Sequence, residues 1–198
     1  KGSLGKLEEY AIWMAGWQKK INPLIENAHC LIFAGNHGVA RKGVSAFPSE
    51  VTEQMVRNFV SGGAAISVLS RHAGAGTIIV DVGVDADLSD LVEKGDILDR
   101  KISSGTENFF KGPAMTLDQA EKSLKVGFDL VKESYNENDI YAIGEMGIGN
   151  TTTSAAVVAG LLGSEIDLIT GSGTGIDEKA RLHKVDVIKN SLQNREIE

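Results

Sequence analysis

A chain of 198 residues is long enough for one sizeable α/β domain, with or without a small helical addition, and for a properly buried core. With 42% hydrophobic and 24% charged residues, no apolar run of bilayer-spanning length and no visible secretory signal, it reads as a soluble, cytoplasmic, globular protein. The formal charge of −7, carried without any Lys/Arg cluster, excludes nucleic-acid backbone and anionic membrane as expected partners, so an anionic ligand would need a local device.

In chain order, residues 4–20 place Leu4, Leu7, Ala11, Met14 and Ala15 on one helical face before Pro23 breaks the pattern, which predicts an amphipathic packing helix. We read residues 1–28 as a helical appendage and 29–198 as an α/β nucleotide-binding core. The single cysteine, Cys30, sits in the strand-like run "CLIF" (30–33); alone, it excludes disulfide frameworks and Cys-based metal sites and fits a small core hydrophobe in a reducing compartment. The run opens into a long loop, "AGNHGVARKGVSAFP", and long loops tend to carry function. Ser49 is the expected cap of a helix whose Val51, Met55, Val56, Phe59 and Val60 share a stripe, and Gly62–Gly63 interrupt it before "AAISVLSRHAG". "TIIVDVGV" (77–84), rich in β-branched residues, predicts the next strand. "TLDQAEKSLKVGFDLVKES" then holds Leu117, Ala120, Leu124, Phe128 and Val131 in helical register. Strand 139–143, helix 152–162, strand 166–170 and helix 177–192 complete an alternation that predicts a Rossmann-like, mostly parallel sheet flanked by helices.

In such a sheet, ligands sit beyond the carboxyl ends of the strands. Three expected strand exits carry unusual loops: "AGNHGVARKGVSAFP", "GEMGIGNTTT" and "TGSGTGID". In the second, glycines admit close backbone approach and hydroxyls fall where a helix N-terminus presents unpaired N–H groups, an arrangement suited to an anion. In the third, Gly171, Gly173 and Gly175 surround Thr174, Asp177 is the expected N-cap, and Lys184 follows two helical turns later. Two such turns side by side point to a phosphorylated sugar; the plainer alternative is that Gly-rich turns only let the chain reverse tightly. "GIGNTT" lacks the third glycine of G-x-G-x-x-G, and G-K-[ST] is absent, so dinucleotide and Walker-type sites are weak readings. Asp81 and Asp85 in "VDVGVD" lack the Thr-rich loop of enzymes that handle pyrophosphate-activated ribose.

"GNHGVARKGVSAFPSEVTEQMVRNFVSGGAAISVL", "GTENFFKGPAMTLDQA", "GEMGIGNTTTSAA" and "GSGTGID…HK" together resemble the nicotinate-nucleotide–dimethylbenzimidazole phosphoribosyltransferase family, which builds the lower-ligand nucleotide of cobalamin. The opening "KGSLGKLEEYA" is similar to that family's K-P-x-G-S-L-G-x-L-E segment, with residues missing after Lys1, and the matches run in order to about Lys189. The family continues beyond this point and supplies from its C-terminal part a glutamate as proton acceptor, for which "IKNSLQNREIE" has no counterpart; Ser172 also stands where many members carry Arg.

The resemblance implies that nicotinate mononucleotide gives its phosphoribosyl group to a benzimidazole nitrogen, with inversion at the anomeric carbon, in a homodimer. The donor phosphate needs fixed N–H donors, for which Gly147, Gly149 and Asn150 are candidates with the hydroxyls of Thr151 and Thr152, the turn Gly173–Thr174–Gly175, and Lys184 as cation. Oxocarbenium-like charge at the anomeric carbon calls for a nearby carboxylate, and Glu145 is the candidate, for charge stabilisation or for the ribose hydroxyls. The incoming nitrogen must lose a proton to a general base. Because nicotinate departs from a cationic pyridinium, neither metal nor cofactor is expected. For the acceptor, Ser45 and Gln54 can hydrogen-bond a ring nitrogen, and Phe47 and Met55 offer apolar faces; Met55 equally suits the core, and Ser45 the turn alone. His37 could polarise a ligand carboxylate or bond to backbone. A catalytically inactive nucleotide or benzimidazole binder stays open if the chain ends at Glu198, and a nucleotide-dependent oxidoreductase is disfavoured by the missing Rossmann acid.

Overall fold

Among the described residues, four parallel strands lie in the order β3-β2-β1-β4, with β1 (Ala28–Gly35) between β2 (Gly76–Gly83) and β4 (Ile140–Met146), and the short β3 (Leu98–Asp99) at one edge. The structure is a computed structural model, and it describes residues 2–134 and 140–193. Asp139, the first residue of the expected strand 139–143, lies outside the described residues, as do Lys1 and residues 194–198 of the two expected units. Around the sheet are α1 (Lys6–Gln18), α2 (Val51–Val60), α3 (Ala65–Ala73), α4 (Ser89–Glu93), α5 (Leu117–Ser134), α6 (Asn150–Leu162), α7 (Ile166–Ile169) and α8 (Glu178–Gln193). Among the described residues no helix is long and apolar enough to cross a membrane.

The alternation of side chains along β1 divides the packing. Cys30, Ile32 and Ala34 point to one face and meet Val56 and Phe59 of α2, Leu91 of α4 and Ile79 of β2 in one apolar cluster. Burial pushes the Cys30 thiol up from its ordinary pKa, as suits a core hydrophobe. A second cluster joins Val39 and Val44 of the loop after β1 to Ala155 and Ala156 of α6 and to Val187 and Ile188 of α8.

The chain runs from β1 outward through β2 to β3, then crosses back to add β4 on the other side of β1. Strand order therefore reverses between β1 and β4, and the loops leaving these two strands diverge there and open a crevice at their carboxyl ends. Residues 33–34 of β1 and 145–146 of β4 are direct neighbours, with Phe33 opposite Glu145 and Ala34 opposite Met146.

Three expectations need correction. Residues 166–170 form no strand: Ile166–Ile169 is a helical turn, in which Ile166 and Ile169 both face the second cluster while Leu168 is 78% exposed. That i, i+3 pairing satisfies the core with a helix, where a strand would have put 166 and 168 on one side. Ser49 is not the cap of α2; the N-cap position is Glu50 with no side-chain cap bond, and Ser49 contributes its carbonyl to the backbone amide of Thr52 and the side-chain amide of Asn36. None of the residues of α1 is buried, so its expected packing stripe touches no core made by the described residues.

Candidate active site

The crevice begins with the turn that links β4 to α6. Gly149 holds φ +98°, a left-handed conformation open to glycine, and a Cβ there would lie 3.3 Å from the His37 Cβ. At Gly147 a Cβ would collide with the Gly35 carbonyl and the Asn150 carboxamide. The turn is therefore pressed against the end of β1, and the main chain of 147–149 is what faces the crevice. From beneath, the fully buried Thr52 of α2 accepts the Ile148 amide proton on Oγ1 at 3.1 Å.

A second wall comes from the segment between α7 and α8. Arg181 donates to the carbonyls of Asp167 and Thr170 at 3.2 Å each and to the carboxylates of Asp167 and Glu178, fixing this segment to the first turns of α8. Asp177 Oδ1 accepts the Ala180 amide at 2.8 Å, the capping bond its position predicts. Lys184, further along α8, is 1% exposed, and its Nζ donates to Thr151 Oγ1 at 2.6 Å and to the Gly171 carbonyl at 3.2 Å. No carboxylate forms an ion pair with it among the described residues. Burial lowers its pKa from the ordinary lysine value. Gly173, at φ +55°, would place a Cβ 3.0 Å from Thr151 Oγ1 and 3.5 Å from Lys184 Nζ, so the third loop closes directly over this ammonium.

These walls enclose a cavity of about 100 Å³. Glu145, Gly147, Gly149, Asn150 and Thr151 line one side; Ser172, Gly173, Thr174 and Lys184 line the other; Ser45 closes it from the loop after β1. All three loops singled out in the sequence thus meet, although the third leaves a helical turn and not a strand. Thr152 is fully buried behind the wall, its hydroxyl without a partner among the described residues, and Gly175 lies off the cavity. Of the residues expected to meet an acceptor, Ser45 alone lines this cavity, and its Oγ also accepts the Phe47 amide at 3.2 Å. Phe47 borders a neighbouring cavity with Arg41 and Glu50, Gln54 is exposed on α2, and Met55 packs against the first apolar cluster.

Glu145 stands at the carboxyl end of β4, where burial raises its pKa above the ordinary glutamate value. Its Oε2 accepts a hydrogen bond from Asn150 Nδ2. Beyond these two residues is a larger, mostly apolar cavity of about 260 Å³ against Phe33, Val82, Ile102 and Met115, so the Glu145–Asn150 pair borders both the small Gly-rich chamber and the apolar one. Asn150 in turn meets His37, whose Nε2 is 2.5 Å from Asn150 Oδ1. Sequence reading missed this contact: 113 residues separate the partners, and no spacing rule reaches across two strand exits. Asp81 needs no ligand, since its Oδ1 accepts the amides of Gly83 and Val84 at 3.0 and 2.8 Å and its Oδ2 lies 3.3 Å from Lys101.

Comparison with known proteins finds similarity along almost the whole chain. A relative from Syntrophotalea carbinolica, named nicotinate-nucleotide–dimethylbenzimidazole phosphoribosyltransferase, is 48% identical over 191 residues, which are 96% of this chain and 54% of the relative. One of the same name from Chloroflexus aggregans is 47% identical over 192 residues, again 96% and 54%. The crystal structure of CobT from Thermus thermophilus superposes with a TM-score of 0.90 at 38% identity, covering 98% of this chain and 58% of that one. The chain spans about half the length of the curated relatives it matches. A family model described as phosphoribosyltransferase, DBI_PRT, matches residues 1–198, and the chain belongs to that family.

Proposed function

We propose that this chain carries the donor side of a phosphoribosyl transfer from nicotinate mononucleotide to 5,6-dimethylbenzimidazole, giving α-ribazole 5′-phosphate and nicotinate. The observation that carries the reading is Lys184, a buried ammonium that among the described residues is bonded only to neutral oxygens, at the edge of a Gly-rich chamber with Glu145 across from it. A phosphate monoester dianion supplies the charge such a lysine lacks; the Thr151 hydroxyl adds a hydrogen bond and the N-terminus of α6 its dipole, while the amides of Asn150, Thr152 and Thr153 already donate to the carbonyls of Gly147 and Gly149. With the phosphate anchored there, the ribose extends toward Glu145, whose carboxylate stabilises positive charge as the bond to nicotinate breaks. Gly147, Gly149, Asn150, Thr152, Gly173, Thr174 and Gly175 shape the phosphate side. On the acceptor side we assign Ser45 and Phe47, and with them Gln54 and Met55 of the adjoining helix. Proton removal from the acceptor nitrogen we assign to a base other than Glu145.

The same reading takes the protein to be a cytoplasmic homodimer, with residues 1–28 as a helical appendage and 29–198 as the nucleotide-binding core. The exposed apolar side chains of α1 support a helix-mediated partner contact, and the reduced, buried Cys30 fits a reducing compartment.

Titration calorimetry of this chain with nicotinate mononucleotide, and mass-spectrometric detection of α-ribazole 5′-phosphate after addition of dimethylbenzimidazole to a protein that also carries the family's C-terminal part, test the proposal. Saturable binding with product formation is expected. Binding without product gives the non-catalytic binder, and a chain that neither binds the nucleotide nor forms product overturns the reading.

A further inference from the structure

We propose that His37 is a positioning residue, which holds the Asn150 carboxamide through its Nε2–H so that Asn150 Nδ2 presents a fixed donor to the Glu145 carboxylate. The inference deepens the transfer reading and rests on it for the importance of Glu145, though the geometry of the three residues stands without any substrate.

The polarity of the chain of contacts follows from the carboxylate. Ionised Glu145 can only accept, so the group facing it must be the Asn150 amide nitrogen. The Asn150 carbonyl oxygen then faces His37, and that oxygen can only accept, so His37 Nε2 must carry the proton. Turning the carboxamide round would set its oxygen against the carboxylate and its NH₂ against the ring, losing the bond to Glu145. One arrangement therefore satisfies all three groups, and it fixes the histidine as the Nε2–H tautomer.

The other ring nitrogen explains why the histidine stays neutral. Nδ1 is buried with no hydrogen-bond partner among the described residues, so a proton there would have no acceptor. Burial lowers the His37 pKa, and the Asn150 bond offsets this only in part.

The anchor is rigid on both sides. Next to His37, the Gly38 amide donates to the Thr106 carbonyl at 3.0 Å, and a Cβ on Gly38 would lie 2.6–2.7 Å from the backbone of residues 106–108, so the main chain has no room to shift. The Gly149 turn presses on His37 Cβ from the opposite side. The exit of β1 thereby braces the exit of β4, and a neutral imidazole sets the orientation of a carboxylate partner it does not itself reach.

The test combines a spectroscopic readout with a pair of variants. Long-range ¹⁵N–¹H correlation of the histidine rings at pH 7 is expected to report His37 as neutral and protonated on Nε2. In His37→Leu, which removes the donor, the Asn150 amide is released and the ¹³C titration of the Glu145 carboxyl moves to higher pH. Transfer by the same variant, measured in a protein that also carries the family's C-terminal part, is expected to lose about tenfold or more in kcat with KM for the nucleotide little changed, the pattern of a lost transition-state interaction. His37→Gln, which restores a side-chain N–H, is expected to recover most of that loss. An Nδ1–H tautomer, a Glu145 titration unmoved in His37→Leu, or a Gln variant as impaired as the Leu variant overturns the proposal. A protein that shows the Nε2–H tautomer and the Glu145 shift but no transfer leaves the positioning in place and sinks the transfer reading.

Discussion

A lysine that is 1% exposed and, among the described residues, bonded only to two neutral oxygens destabilises the ligand-free protein, because its ammonium has left water and gained no counter-ion among those residues. Folding lowers the pKa of Lys184, so the unfolded chain keeps this proton to higher pH than the folded one. Well below the lowered value both states are charged and the full penalty applies. As pH rises through the window between that value and the ordinary lysine pKa, the penalty disappears and the ligand-free protein gains stability from this group. Nucleotide affinity should move the other way, since a neutral amine no longer attracts a phosphate. Calorimetry across the alkaline range should therefore show weaker binding where thermal denaturation shows a more stable ligand-free protein, and Lys184→Ala should remove both trends. At neutral pH that substitution should weaken nicotinate mononucleotide binding by about 1.5–3 kcal/mol, the scale of a charged hydrogen bond. Glu145 invites a different test. Its pKa is raised by burial, which would suit a base, while the Asn150 hydrogen bond favours the carboxylate expected on the ribose side. If Glu145 stabilises charge, Glu145→Gln in a protein that also carries the family's C-terminal part should lower kcat by about 10²-fold or more at every pH and keep the shape of the profile, as for other lost electrostatic stabilisers. Loss of the acidic limb in this variant would instead identify Glu145 as the proton acceptor.

At the scale of elements, the β4–α6 turn is held by two devices that can be removed one at a time. Thr52→Val keeps the shape of a fully buried side chain but deletes the acceptor of the Ile148 amide, leaving that N–H unpaired; denaturant melts should show a loss of about 1–3 kcal/mol, with Thr52→Ser close to the parent. Gly149→Ala forces a Cβ into φ +98°, so it should cost about 1–2 kcal/mol of stability even with no ligand present. This reassigns part of the glycine's purpose from ligand approach to the turn itself. The Gly-rich turns were legible in the sequence because few residues tolerate such conformations, and the long helices because their apolar periodicity is sustained. The run "IDLIT" was not, since a short apolar segment reads as strand or helix alike until its neighbours are known; here the grip of Arg181 on Asp167 and Thr170 and the i, i+3 burial of Ile166 and Ile169 decide for helix. Lys184 and Glu145 announced themselves by residue type beside glycines, and the structure brings both to one cavity. Met55 and Thr152 could not be placed in advance, because a helical face facing a core and one facing a cavity share the same periodicity. The His37–Asn150 contact depends on which strands are neighbours, and that order is a property of the sheet and not of any local pattern.

Across the whole molecule the burial is uneven. Leu88, Val84 and Val80 are sealed from solvent, yet α1 presents Leu7, Tyr10 and Ile12 to solvent together with Trp13 and Trp17, which are 56% and 73% exposed. The two indole rings lie edge to face with centroids 6.2 Å apart, an arrangement that presents a broad apolar surface to a neighbour. Leaving several large apolar side chains in water on one helix is unfavourable by the same area argument that stabilises the core, and a second helix laid against them would recover that free energy. If the homodimer we propose forms through α1, both tryptophans of the chain pass from water to a less polar setting when it assembles. Because these are its only two, intrinsic tryptophan fluorescence reads α1 without labelling. Emission should shift to shorter wavelength as concentration rises, in step with the dimer fraction from sedimentation velocity. Trp17→Asp should abolish both changes, since a charge there would be buried without a partner, while nucleotide binding at the crevice stays intact. A dimer that forms while emission stays at the wavelength of exposed tryptophan would place the interface elsewhere on the surface, and a species that remains monomeric at high concentration would remove the homodimer altogether.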